Sequence, residues 1–299
     1  MAMQCEPYPL EYRQQLPDGT SLLTTLGRGN GRILLRATLL GTSGAPCGHF
    51  GYHGSVLLDI GAAPSTLTAR ASPPRLISRN DGEFSYIALS HPRTQWQALL
   101  LRLNTRGRLD IGWGYRGFQA PGQHTVLHDF VVLPDGRVLA CGVRWNSRGG
   151  IRQGFLARLE RNGRLDPSYG DAGFARLRGI RQDSGYTCLG PAQAQGDRWL
   201  LGFCASGSDS QLLTVTALDD EGLPQPGYAG VLPVACQALQ ADAIQQRAGG
   251  HGLITGTATQ QSRPRAFAAG LLPSGRFDGS FGNGAALEWK GAAQRLACI

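Results

Sequence analysis

The densest group of chemistry-bearing side chains is Cys47, His49 and His53 in the run APCGHFGYHG. A thiolate and two imidazoles are soft ligands of the kind that hold zinc. A fourth ligand is not evident, and the segment reads as a glycine-rich loop, so no metal and no cofactor are expected. His124 and His128 share an i, i+4 spacing, but that spacing brings two side chains onto one face only on a helix, and here it falls at the start of a strand. Seven cysteines are scattered singly at 5, 47, 141, 188, 204, 236 and 298. An odd, dispersed set suits reduced thiols, several of them buried as small hydrophobes. No GxSxG, HExxH, Walker or GxGxxG pattern stands in a supporting context, and Gly282–Asn283–Gly284 reads as a loop.

Charge offers a different chemistry. The chain has 299 residues and a formal net charge of +8. Lys290 is its single lysine, so arginine carries nearly all the positive charge. Guanidinium groups suit carboxylates, phosphates or an acidic surface. The arginines are dispersed and no RNA-binding signature accompanies them, which disfavours nucleic acid. No apolar run reaches the length of a transmembrane helix. The first residues lack the basic start and apolar stretch of a signal peptide, so a cytoplasmic protein with no membrane insertion is expected.

The elements that must position these side chains are repeated. LLLRLNTRGRLDIGWG begins at Leu99, FLARLERNGRLDPSYG at Phe155, LTVTALDDEGLPQPGY at Leu213 and FAAGLLPSGRFDGSFG at Phe267. The turn glycines Gly107, Gly163, Gly222 and Gly275 are 56, 59 and 53 residues apart. Trp113, Tyr169, Tyr228 and Phe281 follow them at a fixed distance. A second turn precedes each copy, most clearly in DFVVLPDGRVLACGV, with weaker versions around Gly31, Gly82, Gly196 and Gly250. Each unit is therefore two hairpins, and a period near 50 residues without helical patterning implies an all-β fold. The expected fold is a β-propeller of about five four-stranded blades, or six if the chain ends, including QRLACI, form a composite blade. One domain over 1–299 is expected, with repeats at about 20–70, 75–119, 126–177, 186–234 and 241–289. Strands in the third repeat are expected at 127–133, 137–143, 154–160 and 173–177.

The motif L-x-x-x-G-R-L-D-x-S-aromatic-G, with LPDG-R-V-L-x-x-G upstream, resembles the delta-60 repeat of bacterial β-propeller-like proteins. Leu159–Gly170 with Leu133–Gly142 matches best, then Leu271–Gly282 and Leu103–Gly114. The fourth copy departs at Leu223, Pro224 and Gln225. The resemblance implies a fold rather than an activity. On physical grounds Gly107, Gly163 and Gly275 should hold left-handed turn positions. Asp110, Asp166 and Asp278 should accept backbone N–H groups in the turn that follows. Trp113, Tyr169 and Phe281 should fill space between neighbouring units.

Links between the second and third strands of each unit are the least alike, and binding is expected there. They are read as 41–54, 91–96, 144–153, 206–211 and 259–265. The expected binding residues are Arg93, Trp96, Arg144, Trp145, Arg148, Arg152, Arg263 and Arg265, with Phe50 and Tyr52 in the first link, centred on Arg144, Trp145 and Arg148. Arginine and the large aromatics dominate interface energetics. The leading expectation is a non-catalytic module that binds a protein partner, an acidic one, as an adaptor or toxin inhibitor. A glycan-binding propeller is the first alternative, against which the dissimilar loops count. An enzyme with its site at a channel mouth is the second, for which His53, His91 and Asp209 are the loop candidates.

Overall fold

The structure is a computed structural model that describes residues 6–62, 75–90, 98–110, 112–113, 115–117, 123–146, 153–175, 185–192, 198–206, 210–219, 223–246, 248–284 and 287–290. Those residues build five four-stranded antiparallel sheets, each in sequential strand order. The first holds β1 (Glu6–Gln15), β2 (Ser21–Gly29), β3 (Arg32–Leu40) and β4 (Ser55–Ala62). The second holds β5 (Arg75–Asn80), β6 (Phe84–Ser90), β7 (Ala98–Asn104) and β8 (Tyr115–Gly117). The third holds β9 (Gln123–Val132), β10 (Val138–Asn146), β11 (Gln153–Leu159) and β12 (Phe174–Ala175). The fourth holds β13 (Gly185–Ala192), β14 (Arg198–Ser206), β15 (Gln211–Leu218) and β16 (Pro224–Val234). The fifth holds β17 (Ala238–Gln246), β18 (Gly252–Gln260), β19 (Arg263–Leu271) and β20 (Leu287–Lys290). Among the described residues the one α-helical element is the four-residue turn α1 (Phe281–Gly284), where a loop was expected at Gly282–Gly284.

The chain divides into two compact units. One spans Met1–Leu127 with Arg161–Arg164, the other His128–Glu160 with Leu165–Ile299. In the first unit, β1 lies beside β5, and Arg79 donates to the Tyr12 hydroxyl at 3.2 Å between the two sheets. Its core joins Leu22, Leu26 and Leu35 of the first sheet to Ile87, Leu99 and Leu101 of the second. In the second unit, Leu213 and Val215 of β15 share a core with Ile254 and Phe267 of β18 and β19. Alternation along β18, buried then half-buried, is what a strand packed on one face requires.

The repeated sentence forms the same turn in three sheets. The Asp110 amide donates to Arg102 O at 3.0 Å, that of Asp166 to Arg158 O at 2.9 Å and that of Asp278 to Gly270 O at 2.9 Å. Three residues on, Trp113, Tyr169 and Phe281 each donate back to the aspartate carbonyl at 3.1 Å. The aspartate side chains accept as expected: Asp110 Oδ1 from Gly112 N at 3.0 Å, Asp166 Oδ1 from Ser168 N at 2.9 Å, and Asp278 Oδ1 from Ser280 N at 2.9 Å. Gly107, Gly163 and Gly275 have φ of 72°, 77° and 82°. The fourth turn glycine, Gly222, lies outside the described residues.

The fourth copy of this turn is at a place the motif does not mark. Cys47 N donates to Leu39 O at 2.8 Å and Phe50 N to Cys47 O at 3.0 Å, the bonds that Asp110 and Trp113 make in the second sheet. Residues 41–51, GTSGAPCGHFG, are thus the β3–β4 link of the first sheet. The first repeat, expected at 20–70, starts instead at β1. Its first hairpin is Leu16-Pro17-Asp18-Gly19, where Leu16 N bonds Thr20 O and Gly19 N bonds Leu16 O at 2.8 and 3.0 Å. Leu133 and Gly136 make the same bonds in the third sheet. The link 41–54 therefore belongs to the repeated-turn class, not to the links between second and third strands.

Two further expected loops are strand in the parts that are described. β10 runs to Asn146, so Arg144 and Trp145 are strand residues, with Arg144 opposite Gln153. The expected loop 259–265 is a two-residue hairpin: Gln260 pairs with Arg263 around Gln261 and Ser262, whose φ values are 47° and 62°. Two positive values are the signature of the tight turn whose twist matches its strands.

Candidate functional site

The best-defined surface built from the expected residues is the hairpin that follows Phe50. Phe50 itself is only 2% exposed, which removes it from the expected binding set. Its ring fits under the next repeat's turn. A Cβ at Gly107 would stand 3.0 Å from Phe50 Cε1 and 3.0 Å from Gly51 N. The glycine is required there by shape as well as by φ. Gly275 repeats the arrangement against Tyr228, whose ring would lie 2.5 Å from an added Cβ. Within each unit, then, Phe50 and Tyr228 fill space between adjacent repeats, where Trp113, Tyr169 and Phe281 are the aromatics expected to do so.

Beyond Phe50 the chain reverses. Tyr52 N donates to Ser55 O at 2.7 Å and Ser55 N to Tyr52 O at 3.1 Å. The two residues between them, His53 and Gly54, have φ of 50° and 83°. The third sheet has the same turn at Ala172 and Gly173, between Asp171 and Phe174, so the left-handed His53 is a feature of the repeat. The base of the hairpin is fixed. Leu39 N donates to Gly54 O at 3.0 Å, and Thr38 Oγ1 and Ser55 Oγ share a hydrogen bond of 2.8 Å. A Cβ on Gly51 would meet Ser55 O at 2.1 Å and one on Gly54 would meet Pro46 Cβ at 2.5 Å, so neither position admits a side chain without rearrangement.

What this frame presents is aromatic and polar. Tyr52 is 81% exposed. Its ring meets the His53 imidazole edge-on, with centroids 4.3 Å apart and an interplanar angle of 74°. His49 and His53 are exposed on the same turn. Gly51 N donates to Arg106 O at 2.8 Å, which joins the hairpin to the neighbouring turn of the second sheet. There the Asn104 side chain accepts from the amides of Arg106 and Arg108, both at 3.0 Å. The two guanidinium groups stand exposed on that turn.

The other expected residues fall elsewhere. Arg263 and Arg265 are exposed on β19, in the other unit. Arg93, Trp96, Arg148 and Arg152 lie outside the described residues, as do His91 and Asp209. His124 and His128 both lie on β9. Four residues of extended strand separate them by about 13 Å, beyond the span of a shared metal. Among the described residues no three His, Cys, Asp or Glu side chains form a metal-holding group. Cys47, Cys141 and Cys236 are thiols, and burial pushes the Cys236 thiol up.

The aspartates of the repeat serve the frame. Desolvation works to raise Asp110, but the Arg102 hydrogen bond and charge outweigh it and hold the carboxyl below the usual carboxylate range. Arg102 Nε donates to Asp110 Oδ2 at 2.9 Å, and its guanidinium lies 4.1 Å from the Phe84 ring centroid. Asp166 is held low in the same way. Burial raises it, while Ser168 and Arg158 overcome that, Arg158 Nε at 2.8 Å and the ring of Tyr169 4.7 Å from the guanidinium. Asp18, Asp59 and Asp278 are also lowered, each first by a side-chain hydrogen bond, from Thr20, Arg32 and Ser280 respectively. Held as anions, these five are the reverse of a general acid, which needs a raised pKa.

A propeller-type repeat protein is the class that these sheets and turns define. A family described as "Domain of unknown function (DUF5122) beta-propeller" matches residues 133–169, the stretch from the third sheet's first turn to its motif aromatic. No curated protein sequence matches the chain. Solved structures similar to it include one described as "Glycoside hydrolase", with TM-score 0.45 and 10% identity over 90% of this chain and 61% of that one. A second is the GH43 protein BlXynB from Bacillus licheniformis, with TM-score 0.42 and 10% identity over 97% of this chain and 58% of that one. A third is the Bacteroides ovatus xyloglucan PUL GH43B, with TM-score 0.25 and 9% identity over 89% and 77%. The chain thus spans about three fifths of the first two. Against the expectation of a non-catalytic module for a protein partner, the first of these neighbours is described as a glycoside hydrolase and the other two as GH43 proteins. Among the described residues no helix is long and apolar enough to cross a membrane.

Proposed function

We propose that this chain is a carbohydrate-directed protein whose sugar-contact surface is the hairpin around Tyr52. The observation that carries the reading is the 81% exposure of Tyr52 on a turn fixed at both ends. A pyranose ring has a face of C–H bonds and a rim of hydroxyls. The phenol ring offers an apolar face to the first and a polar tip to the second. His49 and His53 add donors and acceptors for the rim. Because the turn is already ordered, binding forfeits little conformational freedom. The names of the fold neighbours supply only the ligand class to test first. The repeats themselves we read as of the delta-60 type, on the recurrence of the turn at Cys47, Asp110, Asp166 and Asp278 in four of the five sheets.

The test is calorimetric titration of the purified chain with a panel of neutral and acidic oligosaccharides, with product analysis of the same mixtures. Loss of a central aromatic anchor costs about 2 kcal/mol, so Tyr52→Ala should weaken binding about 30-fold while Tyr52→Phe retains most of it. The reading fails if no saccharide binds, or if Tyr52→Ala binds as the parent does.

A further inference from the structure

We infer that the saccharide bound at this hairpin is an acidic one, with its anionic group held by Arg106 and Arg108; the inference rests on the carbohydrate reading above. The second repeat's turn is bonded to the hairpin through Gly51 N and Arg106 O at 2.8 Å, and Gly107 packs on Phe50. The backbone between Tyr52 and the two arginines is therefore a single fixed frame. Both guanidinium groups are exposed, and among the described residues neither has a carboxylate partner. The nearest acid in sequence, Asp110, is taken by Arg102.

Arg106 also stands where the other copies of the turn have Ser43, Asn162 and Ser274. The small polar residues suffice for the turn, so the frame does not call for an arginine there. Arg108 recurs as Arg164 and Arg276, and the second sheet is the copy that carries two arginines around its glycine. A guanidinium meets a carboxylate through two parallel N–H bonds, and such charge-assisted bonds are about twice as strong as neutral ones. An aromatic side chain and two guanidiniums carried on one backbone frame fit a sugar ring that bears a carboxylate or a sulfate ester.

The closing experiment compares oligogalacturonate with its fully methyl-esterified form, which keeps the sugar and removes the charge. A sulfated galactan oligomer of equal length is a third arm. The acidic form should bind at least ten-fold more tightly at low salt, and the advantage should shrink as salt is added. The double variant Arg106→Ala, Arg108→Ala keeps the Arg106 carbonyl that bonds Gly51. It should bind acidic and esterified forms equally, at the parent's affinity for the ester. Arg276→Ala, at the matching turn of the fifth sheet, should change nothing. Tyr52→Ala should weaken all arms together. Tighter binding by the sulfated oligomer as well extends the class to anionic saccharides generally. Equal parent affinities for the acid and its ester overturn the inference and leave the carbohydrate reading standing. Failure of every arm overturns both.

Discussion

Gly107 and Gly31 provide a controlled comparison of backbone strain with packing. Their φ values are 72° and 71°. An L-residue in the left-handed region costs about 1–2 kcal/mol, so alanine should carry that penalty at either site. The surroundings differ. A Cβ at Gly31 meets nothing within 4 Å, whereas at Gly107 it meets Gly51 N and Phe50 Cε1, both at 3.0 Å. The first neighbour is backbone pinned by its bond to Arg106 O, and the second is the ring of a buried side chain. Neither is the free end of a flexible group, so an added methyl there should cost a further ~1–3 kcal/mol, as overpacking in a dense core does.

Gly31→Ala should therefore lose about 1–2 kcal/mol and Gly107→Ala about 2–5 kcal/mol. Urea unfolding followed by tryptophan fluorescence measures both, because Trp113 is buried in the same unit. Unchanged m-values would show that the unfolded states are comparable. Gly107→Ala should also weaken saccharide binding, since the shift it forces falls on the bond that ties the hairpin to the arginine turn. Equal destabilisation by the two variants would refute the argument, as it would mean that φ alone explains both glycines.

Two further outcomes follow from the buried polar groups. Asp166→Asn should cost up to about 3–5 kcal/mol, because it breaks the ion pair of an Arg158 guanidinium whose side chain is 5% exposed. Asp110 and Asp166 have folded pKa values below their unfolded ones, so their stabilisation is complete above the ordinary aspartate range near ~3.9 and is lost as pH falls through the folded values. Acid unfolding of Asp166→Asn should accordingly be less steep below about pH 4. Tyr86 is pushed up to about 12 by burial, with Asp81 adding and Arg102 opposing. It should be the last tyrosine to ionise in an ultraviolet alkaline titration, and Tyr86→Phe should remove that final step without altering the earlier ones.

The repeat was legible wherever the motif kept its aspartate and glycine, since those residues do backbone work that leaves a fixed spacing. Asp110, Asp166 and Asp278 cap the turns as their sequence implies. The first repeat is out of phase with its motif because its turn does the same backbone work with different side chains. Cys47 stands at the aspartate position and Pro46 at the leucine position, bridging Leu40 as Leu109 bridges Leu103. The signal that would have set the phase is Leu16-Pro17-Asp18-Gly19, the same four residues as Leu133–Gly136. Without it, Gly31 reads as the first turn and every later element of that repeat slips by one strand. The binding face moved with it. Arg144 and Trp145 read as loop because arginines and glycines follow them, yet pairing on β10 continues to Arg144 opposite Gln153. Gln261 and Ser262 gave no warning of a tight hairpin, since turns with two positive φ values favour asparagine and glycine.

Where the candidate site falls within the repeat bears on what built it. The turn makes three demands in every sheet that shows it: a left-handed residue, a backbone bond three residues before the aromatic, and an aromatic or large apolar ring to close it. Gly44, Cys47 and Phe50 meet those demands in the first sheet and are not available for anything else. His49, Tyr52, His53 and Arg106 occupy positions where the other copies hold unlike residues. His49 matches Gly112, Ser168 and Ser280, while Tyr52 and His53 match Asp171 and Ala172. Ser168 and Ser280 each give the capping aspartate a hydroxyl bond of 2.6 Å, and Gly112 shows that the turn closes without one. Side chains at such positions are released from the frame, so an arginine, a tyrosine and two histidines gathered on them call for an explanation outside it. An acidic sugar supplies one: each of the four has a group on that ligand to meet, and none of the four has a structural task that a smaller residue does not perform elsewhere in the chain.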